Sequence, residues 1–253
     1  MTDELFSLQV LVVSGSRSGH DLFRQAASQA KVPVEVVEAS DAASAGPAIS
    51  GGVDLVFIDM TLGADAIGRV TAAARAAAKP PFTVLLSAPG NAAPFQTDAT
   101  TSSPGNLKDA KHLVDRITRV RLPSRVLVVD DSATMRSIVR KILAATRFPF
   151  EVTEVGQGGE ALELARDNEF DIAFVDYNMP GFSGLETIGE FRRAQRDVTF
   201  VLITSTPDEA VAARARSLGA AFLKKPFFPA DMEAVLCGFY GLRALNPQRT
   251  KSS

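Results

Sequence analysis

Short apolar runs rich in β-branched residues recur along the second half of the chain and predict its strands. They lie near residues 125–129, 150–155, 171–175, 199–203 and 220–223. Continuous apolar character over so few residues is typical of parallel strands buried on both faces. Between the runs, apolar residues recur every three or four positions, as they do on one face of a helix. Helices are predicted near residues 132–146, 158–168, 183–194, 207–217 and 229–241.

The alternation of strands and helices predicts the fold class. A repeated βαβ unit builds a doubly wound α/β sheet, because its right-handed crossovers place helices on both faces. We therefore expect a five-stranded parallel sheet flanked by helices. Such sheets bind ligands at the carboxyl ends of their strands. The polar residues that end the apolar runs are therefore the candidate functional residues.

The first half of the chain repeats the pattern of the second half. Three runs match in composition, in spacing and in having a polar residue that ends or directly follows them: Val10–Val13 with Val126–Val129, Leu55–Asp59 with Ile172–Asp176, and Val84–Ser87 with Val201–Thr204. A repeat of this kind indicates a tandem duplication of one domain. A helical stretch and then Pro123 separate the halves, so we predict domains at residues 1–122 and 123–253.

Composition and charge narrow the class of protein. Of the 253 residues 46% are hydrophobic and 22% are charged, which is the balance of a folded globular protein. The net charge of −2 argues against a nucleic-acid binder, which needs a clustered positive surface, so we expect no DNA partner. The single cysteine, Cys237, excludes an intramolecular disulfide and any multi-cysteine metal site. It lies in an apolar helical stretch and is predicted to be a buried core residue.

The sequence gives no sign of a membrane segment. The chain starts with MTDELFSLQV, which lacks the basic region of a secretory signal. No window approaches the roughly 18 consecutive apolar residues of a membrane helix. We therefore expect a soluble, cytoplasmic protein with no membrane insertion.

Polar residues at the strand ends of the second half form a candidate chemical site. Asp130 and Asp131 end the first strand, Asp176 ends the third, Thr204 ends the fourth, and Lys225 follows the fifth. Three carboxylates in one place repel one another unless a cation compensates them. Oxygen ligands of this kind suit Mg²⁺, which also binds phosphoryl oxygens. The lysine and the hydroxyl can neutralise a transferring phosphoryl group, and one carboxylate can act as its nucleophile.

Four segments in the second half resemble the motifs of response-regulator receiver domains of the CheY type. They are VLVVDDSATMRSIVRKIL, FVDYNMPGFSGLE, VLITSTP and FLKKPF, in the family's order and spacing. The resemblance implies that Asp176 is the phospho-acceptor. It implies that Mg²⁺ is held by three carboxylates and one backbone carbonyl, those of Asp130, Asp131, Asp176 and Asn178. It implies that Thr204 and Lys225 bind the phosphoryl group.

The same resemblance implies further roles. Phe222 takes the place of the aromatic residue that rotates on activation. A cis peptide bond is implied between Lys225 and Pro226. Asn178 and Thr206 match two variable positions that tune the lifetime of the phosphoaspartate.

The first half keeps the pattern of the fold but lacks most of the candidate chemistry. Ser14 and Gly15 stand in place of the acidic pair, and Ser103 stands where Lys225 would be, although Asp59 is retained. Residues 89–103 are poor in helix formers, so the fourth helix is predicted to be missing or vestigial. Without the acidic pair and the lysine, little holds a cation or offsets a phosphoryl charge. We interpret residues 1–122 as a degenerate pseudo-receiver.

A hydroxyl-rich loop in the first half leaves two alternatives open. Ser14–Gly19 lies between the first strand and the first helix. One interpretation is a capping loop in which Ser16 or Ser18 caps the helix. The other is an anion site, of the kind that flavodoxin-like proteins place here.

Taken together, the motifs predict a response regulator of two-component signal transduction. The expected phosphate donor is a sensor histidine kinase or a phosphotransfer protein, as in a phosphorelay. Only about ten residues follow the last predicted helix, so we expect no DNA-binding domain and an output through a downstream protein target. The protein is expected not to be an enzyme beyond Mg²⁺-dependent autophosphorylation and autodephosphorylation. The alternatives are a phosphate sink for a shared kinase and a ligand- or anion-sensing scaffold; a homodimer is also left open.

Overall fold

The computed structural model describes residues 7–87, 95–195, 197–205 and 208–244 of the chain. The chain divides into two compact units. The first contains Met1–Arg121 together with Tyr240–Ser253, and the second contains Leu122–Phe239.

The first unit alternates strands and helices from its first described residues. Its strands are β1 (Leu8–Val13), β2 (Val34–Ala39), β3 (Leu55–Asp59), β4 (Phe82–Ser87) and β5 (Ala99–Ser102). Its helices are α1 (Arg17–Ser28), α2 (Ala42–Ser50), α3 (Ala64–Ala76) and α4 (Leu107–Thr118), and a short 3-10 helix follows at Arg119–Arg121. The five strands are parallel, in the order β5-β4-β3-β1-β2.

The second unit repeats this architecture. Its strands are β6 (Ser124–Val129), β7 (Phe150–Val155), β8 (Ile172–Asp176), β9 (Thr199–Thr204) and β10 (Ala221–Lys224). Its helices are α5 (Ala133–Ala145), α6 (Gly158–Asp167), α7 (Gly184–Ala194), α8 (Glu209–Ser217) and α9 (Pro229–Phe239). All strands are parallel, in the equivalent order β10-β9-β8-β6-β7. The predicted fold class is therefore confirmed for both units.

The central strands explain why the apolar runs were continuous. Helices cover both faces of each sheet, so every residue of β8 and nearly every residue of β6 is buried. The core of the second unit includes Phe174, Phe191 and Phe200, all of them almost fully buried, and Cys237 is buried as predicted. Burial of such side chains is the main favourable term in folding. The strand ends, where apolar character stops, are thereby held at one edge of each sheet.

The C-terminal end of the second predicted domain needs a correction. Gly241, with a φ of 63°, turns the chain after α9, and Arg243–Ala244 forms a two-residue strand, β11. This strand pairs antiparallel with β5, so the first sheet has a sixth strand and the residues from Tyr240 onward join the first unit. The pairing gives hydrogen-bond partners to the backbone groups at the edge of β5. The predicted range 123–253 for the second domain is therefore wrong at its C-terminal end.

The predicted loss of a helix in the first unit is tested only in part. Residues 88–94 lie outside the described residues. The described residues 95–98 are not helical, and β5 follows them directly.

Over the described part of the chain, no helix combines the length and the apolar character that a membrane crossing demands.

Candidate functional site

The first carboxylate of the site lies at the turn between β6 and α5. The Asp130 side chain is buried, and its Oδ1 accepts a hydrogen bond from the N–H of Ser132 at 2.9 Å. Ser132 in turn caps α5, because its Oγ accepts from the N–H of Met135. Asp131, between the two, is exposed. The local sequence thus fixes one buried and one exposed carboxylate at the edge of the sheet.

The second strand end brings Asp176 to the same edge. Asp176 is 4% exposed at the end of β8, and its Oδ2 accepts from the N–H of Asn178 at 3.1 Å. Helix α7 starts close by with a capping box formed by Ser183 and Glu186. A Cβ atom added to Gly184 would collide with the carbonyl oxygen of Asp176. Only glycine lets this helix approach the acidic strand end so closely.

Lys225 joins the two buried carboxylates. Its Nζ donates to Oδ2 of Asp130 at 2.9 Å and to Oδ1 of Asp176 at 2.7 Å. Its backbone N–H donates to the carbonyl oxygen of Thr204 at 2.7 Å, so the lysine and the buried threonine share this edge. The peptide bond between Lys225 and Pro226 is cis, as the resemblance implied.

The electrostatics of the site follow from burial and from these contacts. Burial raises the pKa of Asp176 above its usual value, and the negative charge of Asp130 adds to this, although Lys225 and the N–H of Asn178 oppose it. Burial alone would lower the pKa of Lys225, but its bonds to the two carboxylates outweigh burial and raise that pKa. The charged ammonium group of Lys225 therefore compensates the negative charge of the two buried carboxylates, Asp130 and Asp176.

The carboxylates fit a divalent cation. One oxygen from each of Asp130, Asp131 and Asp176 can be chosen so that all three lie within 4.8 Å of one another. An all-oxygen set of few protein ligands suits Mg²⁺ and leaves room for water or a phosphoryl oxygen. Asn178, whose carbonyl the resemblance adds to this set, follows Asp176 by two residues.

The structure brings together the predicted residues that it describes. Thr206 lies outside the described residues, and Phe222 is partly buried against the core of the second unit. Arg136 was not predicted from the sequence as part of the site. Its Nη1 donates to the backbone carbonyl oxygen of Asp130 at 2.7 Å and more weakly to that of Asp131. A signal was present, because Arg136 lies one turn into the helix that follows the acidic pair.

The equivalent edge of the first unit is neutralised differently. The Ser14 hydroxyl donates to Oδ2 of Asp59 at 2.8 Å, and the N–H of Thr61 donates to Oδ1 at 2.9 Å. The N–H of Ser103 donates to the carbonyl oxygen of Ser87, as that of Lys225 does to Thr204, so Ser103 occupies the lysine position. Within the part of the chain that the structure describes, the acidic trio has no counterpart here.

The loop after β1 caps its helix. Ser16 Oγ accepts from the N–H of Gly19 at 3.2 Å, and its own N–H donates to Ser14 Oγ at 3.1 Å. The capping interpretation of Ser14–Gly19 is therefore confirmed. Hydrogen bonds within the loop already use these hydroxyls.

Comparisons with known proteins agree with this geometry. The family model of the response regulator receiver domain matches residues 126–236. The response regulator UvrY of Escherichia coli is 30% identical over 116 residues, covering 46% of this chain and 53% of that protein. The response regulator GacA of Pseudomonas viridiflava is 32% identical over 126 residues, covering 49% of this chain and 59% of that protein. The chain thus spans little more than half the length of these relatives.

A solved structure covers both units. It is that of a probable two-component system response regulator/GGDEF domain protein, with a TM-score of 0.54 and 22% identity over 92% of this chain and 98% of that chain. At this level of identity the similarity shows the fold. Residues 126–236, a little under half of this chain, match the family model of the receiver domain, and the first unit repeats the same parallel strand order.

Proposed function

We propose that the protein accepts a phosphoryl group on Asp176 from a phosphohistidine of a sensor histidine kinase or a phosphotransfer protein. The observation that carries this proposal is the Lys225 ammonium group, which bridges the buried carboxylates of Asp130 and Asp176. The Oδ atom of Asp176 attacks phosphorus, the P–N bond breaks, and the imidazole nitrogen leaves with its electron pair. The developing charge on the phosphoryl oxygens then needs the cations that this edge provides.

The residues of the site divide the work. Asp130, Asp131 and Asp176, with the carbonyl of Asn178, would hold Mg²⁺. When bound, this ion would neutralise the negative charge of the phosphoryl group and of the three carboxylates. Lys225 is already aimed at Asp176, so it reaches an acyl phosphate there with little movement. Thr204 ends the adjacent strand β9 and supplies a hydroxyl donor.

The proposed output is a change of surface. Drawing Thr204 toward the phosphoryl group leaves room that the half-buried Phe222 fills, and the face formed by α8, β10 and α9 changes with it. A downstream protein binds this face, and DNA is not a proposed partner. The chain is a phospho-accepting signalling protein whose own chemistry is limited to Mg²⁺-dependent gain and loss of the phosphoryl group.

The mass of the intact protein after incubation with acetyl phosphate and Mg²⁺ tests the acceptor. We expect one added phosphoryl group in the wild type and in Asp59→Asn, and none in Asp176→Asn or after chelation of the metal. The two aspartates are a matched pair, because each ends the same strand of its own sheet. An adduct that survives in Asp176→Asn, or no adduct even with a cognate kinase, would contradict the proposal.

A second measurement separates an adaptor from a phosphate sink. An adaptor keeps its phosphoryl group long enough to bind a target, and its binding depends on phosphorylation. A sink loses the group rapidly and binds nothing in a phosphorylation-dependent way. The decay of the adduct, followed by mass after removal of the donor, decides between them.

A further inference from the structure

A polar cavity lies in the first unit, at the carboxyl end of β5. Its volume is about 400 Å³, and β5, the loop that follows it, one face of α4 and Gly241 line it. Cavities of several hundred Å³ are the size of small-molecule sites. Carboxyl ends of parallel strands are also where this fold class binds its ligands. The cavity is built from residues that the phosphoryl chemistry of Asp176 does not use.

The cavity contains an unpaired cation. Nη2 of Arg116 donates to Oγ1 of Thr101 at 3.2 Å, but its Nε is buried and has no hydrogen-bond partner. Among the described residues no carboxylate forms an ion pair with Arg116. Burial accordingly lowers the pKa of Arg116, with nothing to offset it. A partly buried guanidinium group without a carboxylate partner can be matched by an anionic ligand.

The backbone holds this side chain in place. The turn at Gly241, with its φ of 63°, passes directly over the stem of Arg116, and a Cβ atom there would lie 2.8 Å from Cδ of the arginine. The pairing of β11 with β5 fixes that turn. Arg116 is therefore presented to the cavity as part of the fold.

The other lining groups define the ligand. The hydroxyls of Thr101, Ser102 and Ser103 and the imidazole of His112 supply donors beside the guanidinium. Because Thr101 accepts a hydrogen bond from Arg116, its own proton is left to donate. One carboxylate, that of Asp109, also lines the cavity and accepts a bond from Nδ2 of Asn106. It favours a ligand that carries a hydroxyl donor next to its anionic group over a bare anion.

We propose that the cavity binds a small phosphate ester, with the phosphate on Arg116 and the hydroxyls and a ligand hydroxyl toward Asp109. A guanidinium pairs with phosphate through two parallel hydrogen bonds. The terminal Nη groups of Arg116 would supply them, because its Nε is buried and shielded from the cavity. Inorganic phosphate would fill only part of the space. The degenerate unit, in this proposal, has exchanged phosphoryl transfer at Asp59 for ligand binding at another strand end of the same sheet.

Calorimetric titration of the full chain with adenosine monophosphate, ribose phosphate and inorganic phosphate tests this site. We expect one of the two esters to bind more tightly than inorganic phosphate. Its affinity should fall by roughly tenfold or more in Arg116→Gln, since a charge-assisted bidentate contact is lost. Lys108→Gln, which neutralises an exposed cation on the same helix, should leave binding unchanged. So should Lys225→Met, which removes the lysine of the second unit.

Several results would overturn the proposal. Binding of none of the three probes would do so, as would binding of inorganic phosphate alone. Loss of binding in Lys225→Met would place the anion in the second unit instead. If Arg116→Gln does not fold, Thr101→Val and His112→Gln take its place; full ester affinity in both variants would exclude the cavity.

Discussion

Asp59 and Asp176 occupy the same place in two copies of one sheet, and different groups satisfy them. Each accepts a hydrogen bond from the backbone N–H two residues further on. The other oxygen of Asp59 receives the Ser14 hydroxyl, whereas that of Asp176 receives the Lys225 ammonium group. Ser14 stands where the second unit has Asp130. Asp59 is only partly buried, so neutral hydrogen-bond donors satisfy it, whereas the two buried carboxylates of the second unit require a cation.

The exchange of these polar residues leaves the fold of the sheet unchanged. In both sheets the first and third strands pair in the same parallel register, Val10 with Leu55 in one and Val126 with Ile172 in the other. The three central strands of each sheet remain largely buried; they are β1, β3 and β4 in the first unit and β6, β8 and β9 in the second. The polar edge can therefore lose its chemistry while the apolar core keeps the fold, because the two depend on different residues.

The largest expected effect comes from removing the cation of the second unit. Lys225→Met should lower the rate of phosphoryl gain from acetyl phosphate by roughly a hundredfold, since a charged donor to the developing charge is lost. The rate is measured by intact mass over time. Lys224→Met is the matched control, because the neighbouring lysine is exposed and contacts neither aspartate. Equal rates in the two variants would separate Lys225 from the chemistry.

Rebuilding the first site is a stricter form of the same comparison. Ser14→Asp with Gly15→Asp should destabilise the first unit by about 1–3 kcal/mol without Mg²⁺, because uncompensated carboxylates crowd Asp59. Added Mg²⁺ should restore the stability, since a ligand that binds only the folded state stabilises it. Thermal unfolding with and without the metal measures both effects.

Adding Ser103→Lys to that pair supplies the missing cation. We expect the triple variant to gain a second phosphoryl group, lost again on Asp59→Asn. A triple variant that folds and binds Mg²⁺ yet takes up only one group would show that charge alone does not make the acceptor.

The close approach of α7 to Asp176 is the next largest expected effect. Gly184→Ala should cost about 1–3 kcal/mol of unfolding free energy, because the new methyl group collides with the carbonyl of Asp176. Gly189→Ala, in the interior of the same helix with open space around it, should instead stabilise the protein by about 0.5–1 kcal/mol. Urea unfolding measures both. A loss of stability in Gly189→Ala as large as that in Gly184→Ala would refute the steric argument.

The smallest effect concerns the hydroxyl that replaced an acid. Ser14→Ala removes a buried donor to Asp59 and an acceptor for the N–H of Ser16, and should cost about 1 kcal/mol. Ser18→Ala, an exposed change in the same loop, should cost less than about 0.5 kcal/mol. Equal losses would mean that Asp59 does not depend on the Ser14 bond.

Much of the second unit could be predicted from its sequence. The predicted strand at 199–203 is Thr199–Thr204 in the structure, and the predicted helix at 183–194 is Gly184–Ala194, which begins one residue later. Buried parallel strands leave a continuous apolar signal, and amphipathic helices leave a periodic one. The ends of the strands could therefore be predicted as well. Because these ends share one edge of the sheet, the proximity of Asp130, Asp176 and Lys225 could be predicted with them.

The first unit was harder to predict where its pattern is weak. Strand β5 (Ala99–Ser102) is a short, hydroxyl-rich segment that resembles a loop, so its sequence did not predict a strand. Its place is set by pairing with β4 on one side and with β11 on the other. A two-residue strand such as β11 leaves no periodic signal at all.

The sequence by itself determined two sheets of one topology, the edge at which each can act, and which of the two carries the acids and the lysine. These properties depend on local composition and periodicity, which burial imposes on every strand and helix. Only the tertiary structure decided that the chain returns to the first unit after Phe239 and that Arg136 holds the backbone of the acidic pair. It also decided that Arg116 is partly buried with no carboxylate partner among the described residues. Each of these properties depends on which distant segments pack together. The local sequence pattern around an arginine on a helix is the same whether its guanidinium group is exposed to solvent or lines a cavity.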